Sequence, residues 1–405
     1  MGGQAFSNTG DDSPINCPRM PPDVYNSVAT EIQSKLEILF NKVTIPREAP
    51  GKADYGDIDF LVADEKPHED LQPQYQSKSV WLRIAAIIAA EYHLHHGWSH
   101  SYAIDHPVIP NAYVQVDVEI SPGVGTPDSH ELFEWTRFMK SDADLLQIIG
   151  ICHRPLGLTC NDKGLHLRVE EIEPYNKKKS LLFLTRKPDE VMKFYGFDAV
   201  KYWTGFETEK ELFDWVSQGR FFSRDVFAHR TEKSNDRARQ NKRPMYRRFV
   251  EEYMHSYPEI ETSTLTRADV LEMALDMFNK REEYQAMMGE HNWKEADAQL
   301  WKEIRELVPL EGHALGIALR GLNRWVIFKD GQPQIASEPM IEPKDQPVRV
   351  QATLSVGREQ LLAWIRDNWA EVEALEKARV PYLTTKDLSL GYTDDLTIYP
   401  RGQKD

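Results

Sequence analysis

Hydrophobic positions first fall into a regular pattern at Val24, Val28, Ile32, Leu36 and Leu39, with Glu31, Lys35 and Glu37 between them. That 3.6-residue period predicts a helix ending near Phe40, and Pro46 and Pro50 stop any continuation. The period then shortens. Ile58, Phe60, Leu61 and Val62 make a β-rich run behind a glycine turn within residues 51–64. Residues 79–92 are apolar around most of a helical circumference and predict a buried helix ending in a histidine-rich stretch. Strands are expected at 101–104 and, more clearly, at 112–120. There Val114, Val116, Val118 and Ile120 alternate with Gln115, Asp117 and Glu119, and Pro122-Gly123 closes the run. Residues 130–152 predict one long or two short helices, with Ser141-x-x-Asp144 as a capping box between them. Alternation at 165–170 and an apolar run at 180–184 predict two further strands.

After Pro188 the pattern becomes mainly helical, at 189–195, 208–216, 244–254, 266–281, 293–307, 312–325 and 357–378. Thr208-x-x-Glu211 and Thr266-x-x-Asp269 are start signals for two of these helices. Residues 331–350 predict an irregular connection with at most one strand. The expected organisation is an α+β or α/β front domain over 1–187, a mainly helical domain over 188–380 and an extended tail over 381–405. No internal repeat or low-complexity tract interrupts it.

Composition narrows the function classes. The chain of 405 residues carries 64 acidic and 49 basic side chains, a formal net charge of −15. A protein that coats duplex DNA needs a broad basic face, so broad duplex-DNA binding is not expected, although a local basic groove stays open. Three cysteines, Cys17, Cys152 and Cys160, form no C-x-x-C pair, which argues against a disulfide framework or a thiolate zinc site. Residues 80–90, the most apolar run, contain Arg83 and are too short for a bilayer. Phe6 stands where a myristoylation motif wants Ser or Thr. No membrane partner is expected, and the localisation expected is cytoplasmic, with nuclear entry open.

The sharpest local chemistry is Gly56-Asp57-Ile58-Asp59-Phe60-Leu61-Val62. Residues i and i+2 of a strand share a face, so Asp57 and Asp59 project together. Two like charges so close raise each other's pKa unless a cation lies between them. A third acid, Asp117, interrupts the apolar alternation of its strand, where an unpartnered carboxylate is costly. Three carboxylates from two strands are the donor set of a two-metal phosphoryl-transfer site.

These residues carry a resemblance. G-D-I-D-F-L-V followed by a V-D-V strand resembles the DNA polymerase β-like nucleotidyltransferase superfamily, with its Gly-Gly or Gly-Ser turn, D-x-D strand and third acid on a neighbouring strand. More closely, the layout is similar to a poorly described group of nucleotidyltransferases predicted in large phages and fungi. That group shares an N-terminal G-G, an R-x-x-x-x-x-Y stretch and G-D-hydrophobic-D. This chain offers Gly2-Gly3, Arg19 through Tyr25, Lys52 and Gly56 to Asp59, then Ser101 to Ile104 and Lys242-Arg243-Pro244-Met245-Tyr246. The specific motifs cover about the first 120 residues. The resemblance implies a nucleotidyltransferase-type mixed sheet flanked by helices, with the site facing a cleft toward the helical domain. It implies NMP transfer from an NTP to a hydroxyl acceptor, an RNA 3′ end, a protein or a small molecule. Asp57, Asp59 and Asp117 would be the catalytic and metal-binding residues for two Mg²⁺ or Mn²⁺ ions. Gly2, Gly3, Lys52, Gly56 and Arg243 would hold the nucleotide. One departure is plain: the superfamily's glycine turn follows a strand and precedes D-x-D by a short segment, whereas here the separation is 57 − 3 = 54 residues.

Other features have competing readings. Arg237, Arg239, Lys242, Arg243, Arg247 and Arg248 form a phosphate-binding run or a solvated helix start balanced by Glu251 and Glu252. His93, His95, His96, His100 and His106 look like a metal tract, but no acid is spaced to complete a ligand set. Cys152 reads as a buried cysteine. His166 and Arg168 line a cleft or face water. Trp203, Trp215, Trp293, Trp301 and Trp325 fall in helical stretches and read as core rather than as base-stacking platforms. A D-x-D glycosyltransferase and a catalytically degenerate nucleotide-binding module are the rival functions.

Overall fold

The computed structural model describes residues 3–7, 15–67, 69, 79–228, 243–256, 263–340 and 357–379. Met1, Gly2 and the expected tail at 381–405 lie outside them. The chain divides into two compact units, Met1–Lys280 and Arg281–Asp405. The boundary expected after residue 187 lies inside the first.

The first unit is built on a mixed five-stranded sheet. Helix α1 (Pro22–Leu39) runs straight into strand β1 (Phe40–Thr44), because Phe40 already has extended geometry at φ −126° and ψ 148°. Strand β2 (Asp57–Glu65) follows, then helix α2 (Val80–Ile88) and strands β3 (Tyr92–His96), β4 (Ser99–Asp105) and β5 (Tyr113–Ile120). The spatial order is β1-β2-β5-β4-β3, and β2 and β5 run parallel while the other neighbours are antiparallel. Ile58, Phe60 and Val62 of β2 and Val114, Val116 and Val118 of β5 face one side, where they pack into a core with Val28, Ile32 and Leu36 of α1 and Ile84 and Ile88 of α2. Leu61 and Ala63 point to the opposite face and meet Phe133 of helix α3 (Ser129–Lys140). The strand period thus puts Asp57, Asp59, Gln115 and Asp117 on the α3 side.

Two local expectations are corrected. Helix α2 ends at Ile88, where Ala89 turns left-handed at φ 59°, and residues 92–96 pair with β4 as a strand. The histidine-rich stretch is therefore a sheet edge, not a helix end; no glycine marks the stop, so pairing with β4 decided it. Residues 130–152 resolve into two helices, α3 and α4 (Leu145–His153), broken by left-handed Asp142 and Ala143. The proposed capping box is absent, since neither Ser141 nor Asp144 caps α4 through its side chain. Asp144 instead accepts from Arg243 Nη1 at 2.9 Å and from the Tyr246 amide at 3.2 Å.

Strands β6 (Leu158–Asn161), β7 (Gly164–Arg168) and β8 (Leu181–Thr185) form an antiparallel three-stranded sheet. Short helices follow: α5 (Pro188–Tyr195), α6 (Ala199–Thr204) and α7 (Glu209–Ser217). Then α8 (Pro244–Arg248) continues through a π-helical turn, and α9 (Arg267–Met277) comes last. Thr208 caps α7 and a complete Thr266–Asp269 capping box starts α9, as their spacing predicts. Arg47 ties this region to the front: it pairs with Asp142 at 2.7 Å, lies over the Tyr202 ring at 4.3 Å and donates to the Tyr202 carbonyl.

The second unit contains α10 (Arg281–Leu307), α11 (Gly312–Trp325), a hairpin of β9 (Val326–Lys329) and β10 (Gln332–Ile335), and α12 (Arg358–Arg379). The hairpin gives part of the expected irregular connection a regular form. Leu300, Ile304, Leu322, Ile365 and Val372 centre its core. Gly321 lets α11 and α12 approach closely: a Cβ there would lie 2.8 Å from the Val372 carbonyl oxygen. Among the described residues no helix is long and apolar enough to cross a membrane.

Candidate active site

The parallel pairing of β2 and β5 brings the three acids together. Asp59 stands opposite Asp117, and Asp57 opposite Gln115. Facing residues on neighbouring strands lie about 5 Å apart and share a side of the sheet, so the acids form one patch.

Gly3 closes one end of it. Its amide donates to Asp57 Oδ2 at 3.0 Å. Its φ of +81° and its fit both demand glycine, because a Cβ would lie 2.3 Å from the Gly56 carbonyl oxygen. The long gap in sequence is taken up by α1 and β1, which fold back and leave residue 3 against residues 56 and 57. Two residues on, the Ala5 amide donates to Gln115 Oε1 at 3.0 Å, and Gln115 Nε2 donates to both oxygens of Asp117 at 3.1 and 3.0 Å. Phe6, 1% exposed, anchors the segment.

Asp59 is exposed to solvent, yet protein atoms surround it closely enough to thin its hydration. That desolvation, with the charges of Asp57 and Asp117, pushes its carboxyl from 3.8 up to about 7; Lys140 pulls the other way and Glu48 adds to the rise. Water that reaches Asp59 screens part of this repulsion. Among the described residues no group of three or more His, Cys, Asp or Glu converges tightly enough to hold an ion as the side chains stand. The donors from Gly3 and Gln115 hold Asp57 and Asp117 in place against their mutual repulsion with Asp59.

Lys52 pairs with Glu48 at 2.6 Å and lies 4.8 Å from the Tyr55 ring centre. Tyr55 stacks on Tyr25 at 3.8 Å. Burial raises the Tyr25 phenol, and Glu48, Tyr55, Asp59 and Asp57 raise it further, which puts this wall beside the acids. Arg19 pairs with Asp54 at 2.8 Å, so both ends of the Arg19–Tyr25 stretch are bound to the segment leading into the acids. Across the patch, Lys140 of α3 pairs with Glu119 at 2.8 Å. A groove of about 580 Å³ lined in part by Lys42, Thr44, Phe133 and Arg137 borders β1. Lys42 pairs with Ala63 and Thr44 with Leu61, so the groove shares the acids' face, and Thr44 lies level with a point about 7 Å along β2 from Asp59.

Other candidates stand elsewhere. Arg243 is engaged by Asp144, Arg248 by Glu209 at 2.7 Å, and Arg247 lies 4.0 Å from Glu251. Gly2, Arg237, Arg239 and Lys242 lie outside the described residues. His95 faces His100 across the hairpin, and Trp81 stacks on His100 at 3.8 Å. His106 Nδ1 accepts from the Val108 and Ile109 amides, both at 3.1 Å, and so caps a turn. His166 is buried against Phe183 and Arg168 pairs with Glu173, so the two do not line a cleft together. Trp215, Trp301 and Trp325 are core, whereas Trp203 and Trp293 are exposed. Trp203 donates to Asp189 at 2.6 Å and carries Arg137 over its ring. Cys152 is buried, as expected.

Sequence reasoning missed Glu48, Gln115 and Lys140. Gln115 was within reach, two residues before Asp117 on the same strand face; nothing local marks the other two. Compared with known proteins, the chain matches no family model and no curated protein.

Proposed function

We propose that the protein is a metal-dependent nucleotidyltransferase of the DNA polymerase β-like type. It would move an NMP from an NTP to a hydroxyl acceptor. The observation that carries this reading is the meeting of Asp57, Asp59 and Asp117 on adjacent parallel strands, with the Gly3 backbone seated on Gly56 and Asp57. The donor chemistry suits hard divalent ions: the site offers carboxylate oxygens, and desolvation together with the charges of Asp57 and Asp117 raises the proton affinity of Asp59. Two Mg²⁺ or Mn²⁺ ions, when bound, would supply charge neutralisation and a lowered pKa for the acceptor hydroxyl. Asp57 and Asp59 would hold the ions, and Asp117 would take the acceptor's proton. The acceptor oxygen then bonds to the α-phosphorus, the bond to the bridging oxygen breaks, and pyrophosphate leaves with that electron pair. Lys52 would reach the phosphates by exchanging Glu48 for them. The groove along β1 has the volume of a ligand site and offers room for nucleotide or acceptor. The net charge of −15 disfavours a long nucleic-acid acceptor over a protein or small molecule.

The test is pyrophosphate release from each of the four NTPs with Mg²⁺ or Mn²⁺ and a pool of RNA and protein acceptors, against a D57N/D59N control. Release abolished in the control supports the transferase. One observation favours the second reading, a binding module that no longer transfers: Gly3 and Gln115 already occupy lone pairs of Asp57 and Asp117. Clean Mg²⁺–NTP binding without release would decide for that module.

A further inference from the structure

We infer that Gln115 is a positioning residue of the carboxylate site, and that residues 3–5 are the brace that sets it. The inference rests on the nucleotidyltransferase reading and extends it to a group outside the acid triad. Gln115 is 3% exposed and stands opposite Asp57 across the β2–β5 pair. Its side-chain amide has two unlike ends, and Ala5 decides which faces Asp117. With Oε1 accepting from the Ala5 amide, Nε2 must turn toward the carboxylate. The flipped amide would set an acceptor against two carboxylate oxygens and a donor against an N–H, so the assignment follows from the network.

What the contact does is geometric. The last torsion of an aspartate is soft, with broad wells. Repulsion from Asp59 favours turning the Asp117 carboxylate away from the place where its oxygens are needed. A donor 3.1 and 3.0 Å from the two oxygens fixes the plane of the group from behind. A carboxylate has about four lone-pair sites, more than this one donor takes up. The same short segment reaches the other strand through the Gly3 amide on Asp57. Residues 3 and 5 thus span β2 and β5 at a single rung, and buried Phe6 with the Gly3–Gly56 fit holds them there.

The test compares Mn²⁺ binding, read by the EPR signal of the free ion, for the wild type, Q115L and D57N/D59N. Thermal melts check folding, and NTP kinetics separate kcat from KM. Q115L is expected to weaken Mn²⁺ binding about tenfold or more, the usual cost of losing a group that orients a ligand. It should lower kcat with little change in KM and leave the melt near that of the wild type. A purely structural role would move the melt and leave Mn²⁺ affinity alone. Wild-type affinity in folded Q115L, with binding lost in D57N/D59N, overturns the inference and leaves the metal site standing. If the wild type binds Mn²⁺ no better than D57N/D59N, the two-metal reading falls and the inference with it. Should Q115L fail to fold, Q115N draws the amide back by one methylene and faces the same two outcomes.

Discussion

The two units each gather charge around acidic side chains, and they do so in opposite ways. In the second unit Glu376 is fully buried, yet Arg379 at 2.8 Å, Arg324 at 3.5 Å and the Trp325 indole at 3.2 Å surround it. Burial alone would raise its pKa, but the hydrogen bonds from Arg379 and Trp325 hold it below the usual carboxylate range. In the first unit Asp59 is open to solvent, yet desolvation by the surrounding protein, with the charges of Asp57 and Asp117 added, pushes its carboxyl up to about 7, and Lys140 offsets only part of the rise. Arg19 and Arg47, on the segments before β2, are engaged elsewhere, with Asp54 and Asp142. An acid that binds two helices together is given cations by the fold. An acid patch left with mutual repulsion is instead suited to take its cations from solution.

The comparison breaks first at the acids themselves. D57N/D59N should reduce transfer by more than about a thousandfold, since losing one charge-stabilising group in such a site costs about 10²–10³. Its thermal stability should hold or rise, which differential scanning calorimetry would show. E376A should do the reverse. We expect it to lose about 3 kcal/mol of stability in the second unit, because two arginines lose a buried partner. Partial exposure of Arg324 and Arg379 lets them turn to water and keeps the loss from being larger. Urea unfolding measures that loss, and Mn²⁺ binding should stay at the wild-type level. G3A should lower kcat by about 10- to 100-fold, as displaced catalytic geometry does, with a small change in melting temperature. A G3A enzyme of full activity would mean that the Gly3–Asp57 contact is incidental.

The smallest effect is the pH dependence of the metal-free protein. The Asp59 pKa is higher in the folded chain, so the folded state binds its proton more tightly. Its contribution to stability is therefore full below about pH 4 and is lost as pH rises from about 4 through about 7. Glu376 and other paired acids trend the opposite way, so the useful quantity is wild type minus D59N in melting temperature across that range. Saturating Mg²⁺ should flatten the difference.

Much of this site was legible along the chain, because each legible part depends on near neighbours. The i, i+2 spacing put Asp57 and Asp59 on one face, and the valine alternation around Asp117 marked a strand with an acid out of pattern. The capping of α7 and α9 followed from side chains three residues from their targets. The histidine stretch was misplaced because its strand exists through pairing with β4, and Arg243 looked available because Asp144 lies 99 residues away. Trp203 and Trp293 sit on helices like the buried tryptophans, and their own sequence does not say which face has a neighbour.

The chain by itself determined which residue types lie on which face of each element, since backbone period and sterics act over a few residues. Tertiary structure alone decided which faces meet. It set β2 beside β5 in the register that opposes Asp59 to Asp117, and it carried Gly3 across 54 positions to Asp57. It also placed Glu48 and Lys140 where their charges reach Asp59. Charge partners are chosen by distance in space, which chain separation does not encode.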